Sequence, residues 1–487
     1  MASGESTPLK VTPYLICTVL VATLGPFQFG YHLAELNAPQ EVISCEKKSI
    51  GANTASYGLP QCIPMNPSQF GLISSIYTLG GFIGALLAGP VSTKYGRRIT
   101  LQATTIFFVL GPITEALASS IPLLALGRFV SGIGCGAALV VSPIYVSEVA
   151  PPASRGLFGA VTQVMINVGI LSSQVLGFFW SHDSMWRLIL AAASIVGVLE
   201  FVGLFLLPES PVWLADNHQR SQARRVLQRL RGSDADIEAE IAAWGDTSPA
   251  PTSGEQESLL SPPSDNTVSK QTAVTMLRAV QDPYYRPAIL AIVASMLAQQ
   301  FTGINSIVMY SVSLLQSILP TGAALLTIIT SVINLIATLA CMPLPDRIGR
   351  RTCLLLSISC IGSCSVLLAL GFAFQQKIVS AIAFLLFVTS FAMGLGPVPF
   401  MLSSELVGPE AVGATQSWGL SVNWMATFVV AQFFPVINNT LGGQGRVYWI
   451  FAAMAGVLGV VLYRILPETR GKANADEVWG RVERRED

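Results

Sequence analysis

The sequence predicts an all-α membrane protein: twelve transmembrane helices in two six-helix, pseudo-symmetric halves. Three observations predict it: the composition, the length of the apolar runs, and a set of marks that occurs twice. Of 487 residues, 52% are hydrophobic and only 11% charged. A soluble chain uses about 25% charged residues to cover its surface. Lys plus Arg equals Asp plus Glu at 28 each, so no excess charge draws nucleic acid or acidic partners. Soluble enzymes, nucleic-acid binders and disordered scaffolds are excluded on these grounds.

A helix crosses the hydrocarbon with about 20 mostly apolar residues. Twelve runs qualify: 13–34, 69–91, 98–119, 122–146, 157–180, 186–207, 286–311, 320–344, 352–374, 378–404, 411–438 and 446–466. The first lacks a small-residue cleavage site and reads as an uncleaved span. With both termini cytoplasmic, 22 Lys and Arg fall on the cytoplasmic side and 5 on the other, with Arg128 inside a span. That asymmetry is the one expected of cytoplasmic loops. The predicted organisation is a cytoplasmic N-terminus (1–12), a first half (13–207), a cytoplasmic linker (208–285), a second half (286–466) and a cytoplasmic tail (467–487). The linker opens with short helices. It continues through TSPAPTSGEQESLLSPPSDNTVS, whose Ser, Pro and Gly content predicts disorder.

The marks repeat in order. KYGRR follows the second run and DRIGRR the eighth; YVSEV with Glu148 matches LSSEL with Glu405; PESP with Glu209 matches PETRG with Glu468. Internal repeats place a solute site at their interface near the bilayer midplane. Polar amides point to the same place. Gln163, Asn167 and Gln174 form one helical stripe on the fifth run, and Gln416, Asn423 and Thr427 another on the eleventh. Gln299, Gln300 and Asn305 lie on the seventh run and Asn334 on the eighth. Such groups avoid lipid, and amides both donate and accept, which suits a neutral polyhydroxyl solute. Net hydrogen bonds contribute about 0.5–1.5 kcal/mol each, so affinity near millimolar is expected.

The pieces QFGYHLAELNAPQ, KYGRR, GRFVSGIGCG, PIYVSEVAPPASRG, PESPVWL, QQFTGINSIVMYS, DRIGRR, GLGPVPF and PETRGK span both halves. In this set and order the chain resembles the sugar porters of the major facilitator superfamily, and most closely the pattern of facilitative glucose transporters. The resemblance implies the major facilitator fold and transport of a monosaccharide, a hexose first, by alternating access. It implies sugar-binding roles for Gln163, Gln299, Gln300, Asn305, Asn334, Asn423 and Trp424, with Phe400 as an apolar platform. Four positions depart from the family pattern: Phe400 replaces Trp, Ala392 replaces Glu, Thr427 replaces Asn, and Val212 replaces Arg. Hinge roles fall to Gly303, Gly394, Gly396, Pro397 and Pro399, since Pro removes a backbone donor and Gly loosens the turn. Gly80, Gly84, Gly132 and Gly136 read as close helix packing.

Arg97, Arg98, Glu148, Arg155 and Glu209 of one half, with Arg350, Arg351, Glu405 and Glu468 of the other, are expected to form a cytoplasmic charge latch. Proton-linked relatives carry Asp after FGY, facing the Arg of the fourth span. Here that position is His32, and the Arg is Arg128. Facilitated diffusion is therefore the first expectation, with His32 and Arg128 as a pH-sensing pair. A proton-coupled sugar or polyol carrier is the alternative, and a non-transporting sugar sensor the second. No enzyme chemistry, cofactor or metal site is expected. Partners are the sugar, the bilayer and a sorting adaptor at the dileucine-like EQESLL, Glu255–Leu260. That motif leaves a vacuolar or lysosomal-type membrane open beside the plasma membrane. Cys45 and Cys62 share one non-cytoplasmic loop, where a disulfide is open to them.

Overall fold

The computed structural model describes residues 11–47, 58–233, 235–242, 244, 276–316, 322–443, 445–472 and 475–481. Within them run twelve helices long and apolar enough to span a membrane. They are α1 (Pro13–Ala34), α2 (Pro67–Tyr95), α3 (Arg97–Ala116), α4 (Ile121–Val149), α5 (Arg155–Trp180) and α6 (Trp186–Leu206). The second set is α7 (Arg286–Gln316), α8 (Ala323–Cys341), α9 (Arg350–Ala373), α10 (Lys377–Glu405), α11 (Ala411–Thr440) and α12 (Val447–Ile465). Glu255–Leu260 lies outside the described residues. Short helices flank that stretch at Pro211–Asp216, Arg220–Arg231, Glu238–Ala242 and Met276–Gln281.

The helices of the first half pack through glycine. A Cβ at Gly80 or Gly84 of α2 would fall 2.2 or 2.1 Å from a carbonyl oxygen of α4. A Cβ at Gly132 or Gly136 of α4 would fall 2.0 or 1.9 Å from one of α2. Backbone therefore lies on backbone, as small residues permit in lipid.

Three spans are interrupted. α1 breaks at Thr23, α7 at residues 302–303, and α10 between Met393 and Val398. Gly303 stands at φ +95°, a left-handed geometry that glycine alone adopts freely. A Cβ there would also meet the Phe451 ring at 2.5 Å.

The bundle has a basic end and a disulfide end. At the basic end, Glu209 accepts hydrogen bonds from the backbone N–H groups of Arg97 (2.9 Å) and Arg98 (3.1 Å), capping α3. Glu468 does the same for Arg350 at the start of α9 (2.8 Å). Each cap fits against a glycine, Gly96 at φ +99° and Gly349 at φ +97°, whose Cβ would meet the capping carboxylate at 2.4 Å. At the other end Cys45 and Cys62 are bonded. Arg187 and Trp186 of α6 tie down that loop by donating to the carbonyls of Pro60 (2.8 Å) and Gln61 (2.8 Å).

Replacing Gly136 by Leu should separate α2 from α4, at a cost of at least about 1–3 kcal/mol for overpacking. Gly156 meets nothing within 4 Å, so its replacement by Leu should be tolerated. Thermal unfolding of the two purified variants, compared with the parent chain, checks the contrast.

Candidate functional site

The candidate site is built on the break in α10. Pro399 has no N–H, so the carbonyl of Leu395, four residues earlier, loses its helical partner. Gln299 of α7 takes it. Its Nε2 donates to Leu395 O (2.7 Å) and Gly396 O (3.1 Å). Gln299 Oε1 accepts from Asn423 Nδ2 of α11 (2.5 Å) and from Gln300 Nε2 (3.2 Å). Asn305 donates to Gln300 Oε1 (2.6 Å) and reaches Thr427 Oγ1 (3.4 Å). Four of the expected residues thus form one network on the break in α10 itself. Gly394, Gly396 and Pro397 lie in the unwound segment, and Pro399 in the turn after it. Thr427, a member of the stripe on the eleventh run and a departure from the family pattern, belongs to the network.

The same repair recurs. Pro26 frees the carbonyl of Ala22, which accepts from Ser142 of α4. Pro435 frees that of Ala431, which accepts from Tyr310 of α7 (2.7 Å). At these three places a side chain of a neighbouring helix supplies the partner that hydrocarbon does not.

A second group joins the halves. Asn167 of α5 donates to Thr338 Oγ1 (2.8 Å) and accepts from Asn334 of α8 (3.3 Å). Gln174 accepts from Ser331 (2.5 Å). Gln163 lies one turn from Asn167, half-buried, and makes no side-chain hydrogen bond among the described residues. Trp424 lies apart from the amide network. It is buried against Gly81 and meets Phe29 and Tyr77 edge-on, with ring centroids 5.6 and 6.2 Å away. Phe400 is 40% exposed, outside the buried apolar cluster.

Toward the disulfide end the halves are joined by further hydrogen bonds. Asn37, just past α1, donates to Val308 O (2.9 Å) and Ser311 Oγ (2.8 Å) of α7 and accepts from Val312 N–H (3.0 Å). Gln432 of α11 accepts from Ser75 of α2 (2.9 Å).

The expected charge latch is not one network across the halves. Arg97 pairs with Glu148 (2.9 Å), and Arg350 with Glu405 (3.0 Å) and Asp346 (2.7 Å), each within its own half. Arg351 turns away to the Tyr463 ring and carbonyl. Arg98 contributes its backbone N–H rather than its guanidinium. Arg155, at the start of α5, enters neither cluster.

Sequence reading missed a carboxylate beside Arg128. Arg128 donates to Glu35 Oε1 and to the carbonyl of His32 (3.0 Å), and lies 4.0 Å from Glu115. His32 Nδ1 is 2.9 Å from Glu35 Oε1, and Ser131 donates to Glu115 (2.6 Å). Glu35 was legible as i+3 from His32, on the same helical face.

A family model described as "Sugar (and other) transporter" matches residues 18–478. The chain belongs to this sugar transporter family. It is 35% identical over 98% of its length to a probable metabolite transport protein of Saccharomyces cerevisiae, covering 97% of that protein. It is 30% identical to vacuolar protein sorting-associated protein 73 of the same yeast, covering 95% of each chain. It is also 30% identical to human facilitated glucose transporter member 3, over 96% of this chain and 92% of that one. An inward-open, partially occluded structure of the E. coli xylose transporter superposes with a TM-score of 0.75 at 24% identity, over 95% of this chain and all of that one. The chain is thus a multi-pass membrane protein of the major facilitator fold and a sugar-transporter family member.

Gln299→Leu should strand the Leu395 and Gly396 carbonyls and destabilise the protein by about 1–3 kcal/mol. Gln163→Leu breaks no internal bond and should leave the melting temperature unchanged. Thermal-shift measurements on both variants in detergent check this.

Proposed function

We propose that this transporter carries a neutral monosaccharide, a hexose in the first instance, by alternating access. One observation carries the reading: the Gln299, Gln300, Asn305, Asn423 and Thr427 network is seated on the unwound segment of α10. A solute that competes for those amides acts directly on the hinge. The network engages Asn305 and Asn423 only as donors, so their Oδ1 atoms remain as acceptors for sugar hydroxyls. Gln163 adds an amide with no internal bond.

The basic end is read as cytoplasmic, with both termini there. The 22-to-5 distribution of Lys and Arg supports this, and so does the disulfide, which belongs on an oxidising side. The halves are joined toward the disulfide end, so the conformation reads as inward-facing. The case for facilitated diffusion assumed no carboxylate beside Arg128. Glu35 and Glu115 remove that premise and favour the proton-linked alternative. For location, EQESLL and a relative named for vacuolar protein sorting support a vacuolar-type membrane over the plasma membrane.

Counterflow of labelled monosaccharides in proteoliposomes tests the carrier. One or more should exchange, and Asn305→Ala should raise the half-saturation concentration about fivefold, the equivalent of one hydrogen bond. Absence of exchange with every sugar would sink the reading. In cells, Leu259→Ala with Leu260→Ala should shift the protein to the plasma membrane. Unchanged imaging would remove the sorting argument.

A further inference from the structure

The seam between α5 and α8 holds a small polar cavity, distinct from the amide network on α10. Its volume is about 20 Å³, and a water-sized group needs about 10–15 Å³. Gln174 of α5 lines it from one half, and Ser331 and Asn334 of α8 line it from the other. Ile170, Phe384 and Val388 are among its apolar walls, and no charged residue lines it. There is room for one small polar group, and that group touches both halves.

Hydrogen bonds across the seam fix which atoms are left to the cavity. Ser331 donates to Gln174 Oε1 (2.5 Å). Gln174 is only 5% exposed, and its Nε2 has no partner among the described residues. Asn334 spends its Nδ2 on Asn167 Oδ1 (3.3 Å), and Asn167 is held in turn by its own bond to Thr338 (2.8 Å). Asn334 Oδ1 has no partner among the described residues. The hydroxyls around them are committed. Thr327 and Thr330 donate to carbonyls of their own helix (2.8 and 2.7 Å), and Ser311 accepts from Asn37 (2.8 Å). The cavity thus offers one unspent donor and one unspent acceptor, and leaving a buried amide unpaired is costly. A hydroxyl satisfies both atoms at once, since it accepts and donates through a single oxygen.

We propose that this cavity is a subsite for one hydroxyl of the transported monosaccharide, which donates to Asn334 Oδ1 and accepts from Gln174 Nε2. Asn167 is then a positioning residue: it touches no solute, but it holds the Asn334 amide with its oxygen toward the cavity. A hydroxyl seated there bonds α5 of one half and α8 of the other. The solute itself bridges the seam that rocking of the halves must part. The inference rests on the carrier reading and deepens it, adding a contact on the side of the chamber opposite the break in α10. A water molecule satisfies the same two atoms, and the test separates the two occupants.

The test is inhibition of counterflow in proteoliposomes by analogues of the exchanged sugar, with fluoro and deoxy replacements at each carbon in turn. A hydroxyl makes both bonds, fluorine only accepts, and hydrogen makes neither. At one carbon the fluoro analogue should bind about fivefold more weakly than the parent sugar, the equivalent of one hydrogen bond, and the deoxy analogue more weakly still. Gln174→Leu removes the donor, so at that carbon the fluoro and deoxy analogues should become equal. Asn167→Leu lies outside the cavity lining and frees the Asn334 amide to turn its Nδ2 inward. The fluoro analogue then gains a second donor and should close on the parent sugar, whereas a merely structural effect moves parent and analogues alike. If Gln174→Leu no longer transports, the Asn167→Leu comparison decides. Fluoro-to-deoxy ratios in Gln174→Leu that match the wild type at every carbon would overturn the subsite and leave the cavity to water alone. An unchanged fluoro penalty in Asn167→Leu does the same. Both of those results leave the carrier reading standing; a lack of counterflow with any sugar removes that reading and the subsite together.

Discussion

Hydrocarbon offers no partner to a backbone carbonyl, and this constraint organises the bundle. Wherever proline removes an N–H at Pro26, Pro399 or Pro435, a carbonyl four residues earlier is left over. In each case a polar side chain from another helix takes it: Ser142, Gln299 or Tyr310. A break that lets a helix bend is thus also an address for a polar group. At α10 the address is shared with the amides of α7 and α11, which joins the hinge to the candidate binding site.

Duplication extends the same economy to charge. Glu209 and Glu468 occupy equivalent places, each against a left-handed glycine, each accepting the N–H groups that open α3 or α9. Arg97 with Glu148 and Arg350 with Glu405 repeat one pairing. These carboxylates hold each half together from within. Carboxylate–backbone bonds at a helix start also gain from the helix dipole, which an exposed surface pair lacks. The contacts that join the halves are of another kind: uncharged amides and hydroxyls at Asn37, Asn167, Gln174 and Gln432.

Twelve spans, their order and the two-half repeat were legible in the sequence, because apolar length and repeated marks survive without knowledge of packing. So were the break in α10 and the glycine faces of α2 and α4. The breaks were harder. Gly303 was readable as a weak point, but Thr23 was not, since the proline that matters there lies three residues later. The resemblance pairs Trp424 with Asn423; one residue along a helix turns a side chain by about 100°, and in this structure Trp424 packs on Gly81 while Asn423 joins the amides. Sequence marks reveal which charged residues recur but not their partners, and in this conformation Arg97 and Arg350 each pair within their own half. Glu35 was missed because a comparison at a single position cannot see a carboxylate one helical turn away.

The self-capped halves carry a consequence for assembly. With Glu209 and Glu468 covering the starts of α3 and α9, each six-helix unit satisfies those helix ends from within. Uncharged seams then need only be brought side by side. Two separately synthesised polypeptides, cut anywhere in the connecting segment, could rejoin as subunits of a heterodimer. That is the arrangement from which gene fusion could have produced a single chain.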